Sequence, residues 1–127
     1  MAVLESWVEH LPPALRERPG VLHSFSAPQA TAERALSLGF YLGFTGPITY
    51  KNAEELRRTA AAMPSDRLLV ETDGPFLTPS PHPRKHRNEP GYIPLIVDRL
   101  AVLRQVSNEE MARTTTENAN RLFDLPT

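Results

Sequence analysis

Cysteine is absent from the 127 residues, so disulfides and thiolate metal sites are excluded and the composition is compatible with a reducing cytoplasm. Net charge is also close to nil, because 14 Lys and Arg face 15 Asp and Glu for a formal total of -1. No global pull toward a polyanion follows, and any such contact must be local. No long apolar run occurs, and the opening Met1-Ala2-Val3-Leu4-Glu5-Ser6-Trp7 carries an acid early. Neither a signal peptide nor a membrane span is expected, and the chain reads as cytoplasmic. Short repeats, low-complexity tracts and heptads are missing too. The length suits one core, so residues 1–127 are expected to form a single domain.

What is present centres on Leu68-Leu69-Val70-Glu71-Thr72-Asp73-Gly74-Pro75. An apolar run that can form a buried strand ends in two carboxylates, and Gly-Pro stops it at once. In a parallel α/β sheet, catalytic and metal-binding groups gather at the carboxyl ends of strands, which makes Asp73 the first candidate for chemistry. The plainer alternative is a turn former whose side chain accepts a backbone amide. Phe76 to Pro90 then runs F-L-T-P-S-P-H-P-R-K-H-R-N-E-P, with a basic cluster at Arg84, Lys85, His86 and Arg87. A loop this long in a compact domain is functional or disordered, and its prolines favour a held, extended shape.

Taken in order, Val3 to Glu17 has helical spacing at Leu4, Trp7, Val8 and Leu11, broken at Pro12-Pro13, with Trp7 expected as a core anchor and His10 at the surface. Val21 to Phe25 is a strand, Ser26 to Gln29 a capping box, and Pro28 to Leu38 a helix ended by Gly39. Phe40 to Thr45 is the second strand, where Gly43 points to close approach of another backbone or a ligand. Asn52 to Glu55 is another capping box opening a helix to about Met63, and Arg67 to Thr72 is the third strand. Tyr92 to Arg104 is a helix, Ser107 caps a short one, and Thr114 to Thr116 make a turn that caps a last helix. This repeated strand, loop, helix order predicts parallel βαβ units with flanking helices.

That order sets His23 and Asp73 at the same rim, on strands one and three with one strand between. An imidazole nitrogen and a carboxylate oxygen there suit zinc, manganese or a similar divalent ion. A lone His at a strand end is also compatible with a hydrogen-bonded core residue. Glu71 is expected to pair with a basic group such as Arg87, either behind the site or as a plain surface ion pair.

Six segments together resemble the TatD family of metal-dependent deoxyribonucleases: V-L-H-S-F-S at 21–26, G-F-Y-L-G-F-T-G at 39–46, K-N-A-E-E-L-R at 51–57, D-R-L-L-V-E-T-D-G-P-F-L at 66–77, R-N-E-P at 87–90 and T-T-E-N-A-N-R-L-F at 115–123. The resemblance implies a TIM barrel with a divalent metal ion (Mg, Mn or Zn) at the carboxyl ends of its strands, hydrolysing phosphodiester bonds of DNA. His23 matches the ligand His of the H-C-F-S-G motif, with Ser24 in place of Cys and Ala27 in place of Gly. Asp73 matches the ligand or general-base Asp of E-T-D-x-P. Arg87, Asn88 and Glu89 match a segment that braces the mouth, and Arg84 and Lys85 lie where phosphate would approach, with Arg87 beside them.

The H-x-H pair that opens the family's barrel does not occur in this sequence. The resemblance therefore implies the carboxyl-terminal part of a barrel of about 250 residues, roughly three βα units, with the amino-terminal strands outside this chain. Partners then expected are DNA and either the missing barrel half or a second copy, because three open strands would leave bare edges and an exposed inner face. A non-catalytic half barrel, or a hydrolase of a different ester or amide, stands as the alternative.

Overall fold

The computed structural model describes residues 1–126. Three short parallel strands, β1 (Val21–Leu22), β2 (Tyr41–Phe44) and β3 (Leu68–Val70), lie in spatial order β1-β2-β3. Val21 faces Tyr41 across the first ladder, and Leu42, Gly43 and Phe44 face Leu68, Leu69 and Val70 across the second. Helices α1 (Ala2–Glu9) and α2 (Pro13–Arg16) precede the sheet, α3 (Gln29–Ser37) and α4 (Glu54–Ala62) form the crossovers, and α5 (Ile93–Arg104) and α6 (Asn108–Phe123) follow. The expected α/β class, parallel with flanking helices, is what the chain adopts. Among the described residues no helix is long and apolar enough to cross a membrane.

Alternation along the strands divides the buried residues into two sets. Leu42, Phe44 and Leu68 join Phe25, Ala35, Ile48, Ile96 and Leu100 in the main core. Burying each large side chain in it is worth about 1.5–3 kcal/mol, which is why strands this short hold their places. Arg104 fastens α5 to the end of α4 by donating to the carbonyls of Ala60, Ala61 and Met63, orphan acceptors of that helix terminus.

Tyr41 and Leu69 point to the other face, where Leu122 and Ala119 of α6 cover them and the Arg67 guanidinium lies 4.8 Å over the Tyr41 ring. The expectation of an exposed inner face is therefore corrected at these positions: α6 folds back and buries them. The same helix treats the free side of β3. Glu71 donates its amide to the Phe44 carbonyl, so backbone groups of Leu68 point away from β2. Asn118, only 1% exposed, donates from Nδ2 to the carbonyls of Leu68 and Ser65 at 2.8 and 2.7 Å.

Several local expectations also change. Thr114 to Thr116 do not form a turn; α6 runs through them, with the Thr115 hydroxyl donating back to the Met111 carbonyl at 2.9 Å. Burial of Met111, Thr115, Asn118 and Leu122 along one stripe outweighs the low helix preference of threonine. Ser107 does cap this helix, accepting the Glu110 amide. The capping boxes at Ser26 and Asn52 do not form, since α3 and α4 start after Pro28 and Ala53 without side-chain caps. Trp7 remains 46% exposed; it stacks on Phe40 at the rim of the core and is not sunk in it. His10 is at the surface, against the Ser6 carbonyl.

Candidate metal centre

His23 follows β1 directly, and Glu71 and Asp73 follow β3, so parallel strands with β2 between them deliver all three to one rim. The chain kinks at Ser24, whose φ of 49° lies in the left-handed region that non-glycine residues enter sparingly, and Phe25 then donates its amide to the Gly43 carbonyl. This turn aims the Ser24 amide at Glu71 Oε2 over 3.0 Å, and the Ser24 hydroxyl meets the Thr45 hydroxyl at 2.6 Å. Glu71 Oε2 also lies 2.6 Å from His23 Nδ1. The Glu71 carboxylate can occupy this place because residue 43 is glycine: a Cβ there would stand 2.1 Å from Oε2. The close approach expected at Gly43 is thus made by a side chain, and Glu71 takes His23 as its basic partner where Arg87 was expected.

With Nδ1 held by Glu71, the other ring nitrogen, Nε2, faces Asp73 Oδ1 at 3.5 Å. The sequence brought forward His23 and Asp73 as a pair, and they stand side by side. The side chains of His23 and Asp73 are 54% and 42% exposed, against 16% for Glu71. Burial is the largest single influence on His23 and lowers its pKa, but the charge and hydrogen bonds of Glu71, then those of Asp73, together outweigh it, and the net direction is upward.

A divalent ion can be tested against this donor set. A Glu71-bound Nδ1–H leaves the Nε2 lone pair free, the arrangement in which histidine ligates metals. Two donors each about 2.1 Å from a tetrahedral ion are about 3.4 Å apart, close to the observed Nε2 to Oδ1 gap. The pair fits as two ligands. Glu71 sits on the opposite ring nitrogen and does not converge with them, and no group of three or more potential ligands occurs among the described residues.

The loop after Asp73 is held, not loose. Asn88 is buried and donates from Nδ2 to the Phe76 carbonyl at 2.8 Å and to the Thr72 hydroxyl at 3.2 Å, while its amide meets the Pro75 carbonyl. Thr72 also accepts the Gly74 amide, so residue 88 ties the return of the loop to its departure. Further out, Thr78 donates to the His86 carbonyl, Tyr50 donates to the Thr78 carbonyl, and His82 stacks on Tyr92 at 4.2 Å.

The basic run does not make one patch. Arg84 turns away to lie 4.1 Å over the Tyr50 ring, Lys85 is exposed, and Arg87 lines a shallow cleft with Thr72, Gly74 and Asn88 beside Asp73. Of the three residues expected to brace the mouth, Asn88 is buried and ties the loop together, while Arg87 and Glu89 are exposed. Sequence reasoning missed the contributions of Gly43 and Ser24 to seating Glu71. The glycine within an aromatic strand was the available signal for the first; nothing local marked the second.

The profile of the family described as TatD related DNase matches residues 3–124. A Bacillus subtilis protein named uncharacterized metal-dependent hydrolase YabD is 45% identical over 104 residues, which cover 82% of this chain and 40% of that protein. A 3'-5' ssDNA/RNA exonuclease TatD of Erwinia tasmaniensis is 39% identical, covering 98% of this chain and 48% of the relative. The crystal structure of YJJV, a TatD homolog from Escherichia coli K12, superposes with a TM-score of 0.79 at 31% identity, over 96% of this chain and 47% of that one. The chain thus spans less than half the length of the curated relatives it matches.

Proposed function

Since the chain belongs to the TatD related DNase family, we propose that it is the carboxyl-terminal part of a metal-dependent hydrolase that cleaves phosphodiester bonds of DNA. Its three parallel strands then correspond to about three βα units of a TIM barrel. The observation that carries this reading is the apposition of His23 Nε2 and Asp73 Oδ1 at 3.5 Å, with Nδ1 secured by Glu71. The family and the name of its Erwinia relative support nucleic acid as substrate. The location is cytoplasmic, and the rest of the barrel comes from a preceding segment, a partner chain or a second copy.

In this reading His23 and Asp73 supply two ligands. A divalent ion held by His23 and Asp73 would supply Lewis-acid chemistry toward water and a phosphoryl oxygen. Glu71 keeps the proton of His23 on Nδ1 and so fixes which nitrogen faces the reaction. Asp73, besides its ligand oxygen, has a second carboxylate oxygen able to take a proton from an attacking water. Arg87, in the cleft beside Asp73, faces incoming phosphate, with Lys85 and Arg84 farther along the loop. Asn88 holds the loop beside it.

This chain is incomplete as a catalyst on its own, so the test is cleavage of labelled single-stranded DNA, with Mg, Mn or Zn, by the protein with the rest of its barrel supplied. The reading expects metal-dependent cleavage that falls by at least a hundredfold in His23→Ala and in Asp73→Ala. Cleavage unchanged in both variants would refute the site. The absence of a third converging donor among the described residues favours a second reading, a non-catalytic half barrel. A folded protein that, with its barrel completed, neither binds metal nor cuts DNA would establish it.

A further inference from the structure

A second concavity, of about 490 Å³, lies outside the rim and is lined by Lys51, Arg57, Arg84 and Arg99 together with Tyr50 and Ser80. Its cations come from three places: the turn after β2 and the start of α4, the proline loop, and the outer face of α5. No carboxylate lines it. Asp98 belongs to the adjoining cleft, which shares Ser80 and Arg99. Among the described residues none of the four cations pairs with an acid. In a chain of net charge -1 this is a local concentration that composition does not require.

The groups that position these cations are neutral. Arg57 donates to the carbonyls of Tyr50 and Lys51, and the Arg84 guanidinium lies over the Tyr50 ring. Carbonyl and ring fix the guanidinium planes without cancelling their charge. Lys51 and Arg99 are exposed and free to swing. Like charges gathered in one concavity repel each other and focus a positive field, so the arrangement gains most from an anion with several oxygens.

Chain order ties the cleft to the candidate metal centre. Residues 49–51 lie just beyond the carboxyl end of β2, and the loop that contributes Ser80 and Arg84 begins at Asp73. A polymer bound at the rim can continue along that loop. We propose that this cleft binds a backbone phosphate of a single-stranded nucleic acid, at a nucleotide beside the bond cleaved at the rim. The identity of the polymer rests on the nuclease reading; the phosphate chemistry rests on the cleft.

Binding and cleavage separate the two ideas. Fluorescence anisotropy of a labelled oligo-dT, in chelator so that no cleavage occurs, is measured over a salt series for the wild type, for Lys51→Ala/Arg99→Ala, and for the control pair Arg58→Ala/Arg113→Ala. All four positions are exposed, so folding is retained, and a circular dichroism melt checks this. The proposal expects at least fivefold weaker binding in the cleft pair and a slope of log K against log salt shallower by about 0.7 for each cation–phosphate pair removed. The control pair should stay near wild type. Equal losses in both pairs, an unchanged slope in the cleft pair, or no salt-dependent binding by the wild type would overturn it. If binding follows the cleft while no metal gives cleavage even with the rest of the barrel supplied, the nuclease reading fails and the cleft stands.

Discussion

The rim and the basic cleft share the loop that runs from Asp73 to Arg84, yet their charges are held in opposite ways. At the rim an imidazole is set between two carboxylates, and Glu71 is positioned by the His23 ring and the Ser24 amide. In the cleft, guanidinium groups are positioned by carbonyls and an aromatic ring, and their charge is left standing. The first arrangement presents lone pairs and suits a cation; the second presents N–H donors and suits an anion. A hydrolase of a charged polymer needs both, one to act on a phosphodiester and the other to hold its neighbour.

The largest effect is expected from Gly43→Ala. The new methyl would collide with the Glu71 carboxylate, the far end of a flexible side chain, so the fold should survive with a loss of about 1–3 kcal/mol. Glu71 would leave His23, and metal affinity should drop about 10–100-fold, as for loss of an outer carboxylate partner. NMR titration gives the sign: the His23 pKa, raised in the wild type, should fall back toward the ordinary value near 6.5. A His23 pKa unmoved by this substitution would break the rim half of the comparison.

Next comes Asn118→Ala, which leaves the Leu68 and Ser65 carbonyls without their donor and should cost about 1–3 kcal/mol in urea unfolding. Because Asn118 touches neither region, metal binding and oligonucleotide binding by the folded variant should both be unchanged. Tyr50→Phe should cost about 1 kcal/mol by removing the donation to Thr78, while Arg84 keeps a ring to lie on and the salt slope stays as in the wild type. The smallest effect is at the surface. The Arg34 hydrogen bond holds the Glu5 carboxyl below its usual pKa, so the pair contributes stability above the unfolded value near 4.5 and loses it as pH falls through the lower folded value. Glu5→Gln should remove that acid-side dependence from the melting temperature and alter neither region.

The strands, the parallel order and the meeting of residues 23 and 73 were legible because they depend on period and punctuation: apolar runs of strand length, each ended by a polar residue and a glycine or proline. Helix ends were less so. Ser26 and Asn52 have the right side chains for caps, but packing among α3, α4 and the core starts those helices elsewhere, and the Gln29 amide instead meets Glu55. The threonine run read as a turn because local preference says so, and burial of Asn118 against β3 overrode it. Neither site was fully readable. The partner of Glu71 depends on a backbone kink at Ser24, and the cleft gathers cations separated by up to 48 positions, from 51 to 99. The consecutive run from Arg84 to Arg87, conspicuous in sequence, is split between two surfaces.

The central claim is that His23 and Asp73 share one divalent ion. Titrating Mn2+ into the chain while recording NMR spectra tests it directly, since a paramagnetic ion broadens the nuclei nearest to it. The account predicts that the His23 ring and Asp73 signals broaden first, and that Asp73→Ala abolishes the effect at His23. Broadening that begins elsewhere and leaves His23 sharp, or that persists undiminished in Asp73→Ala, would contradict it.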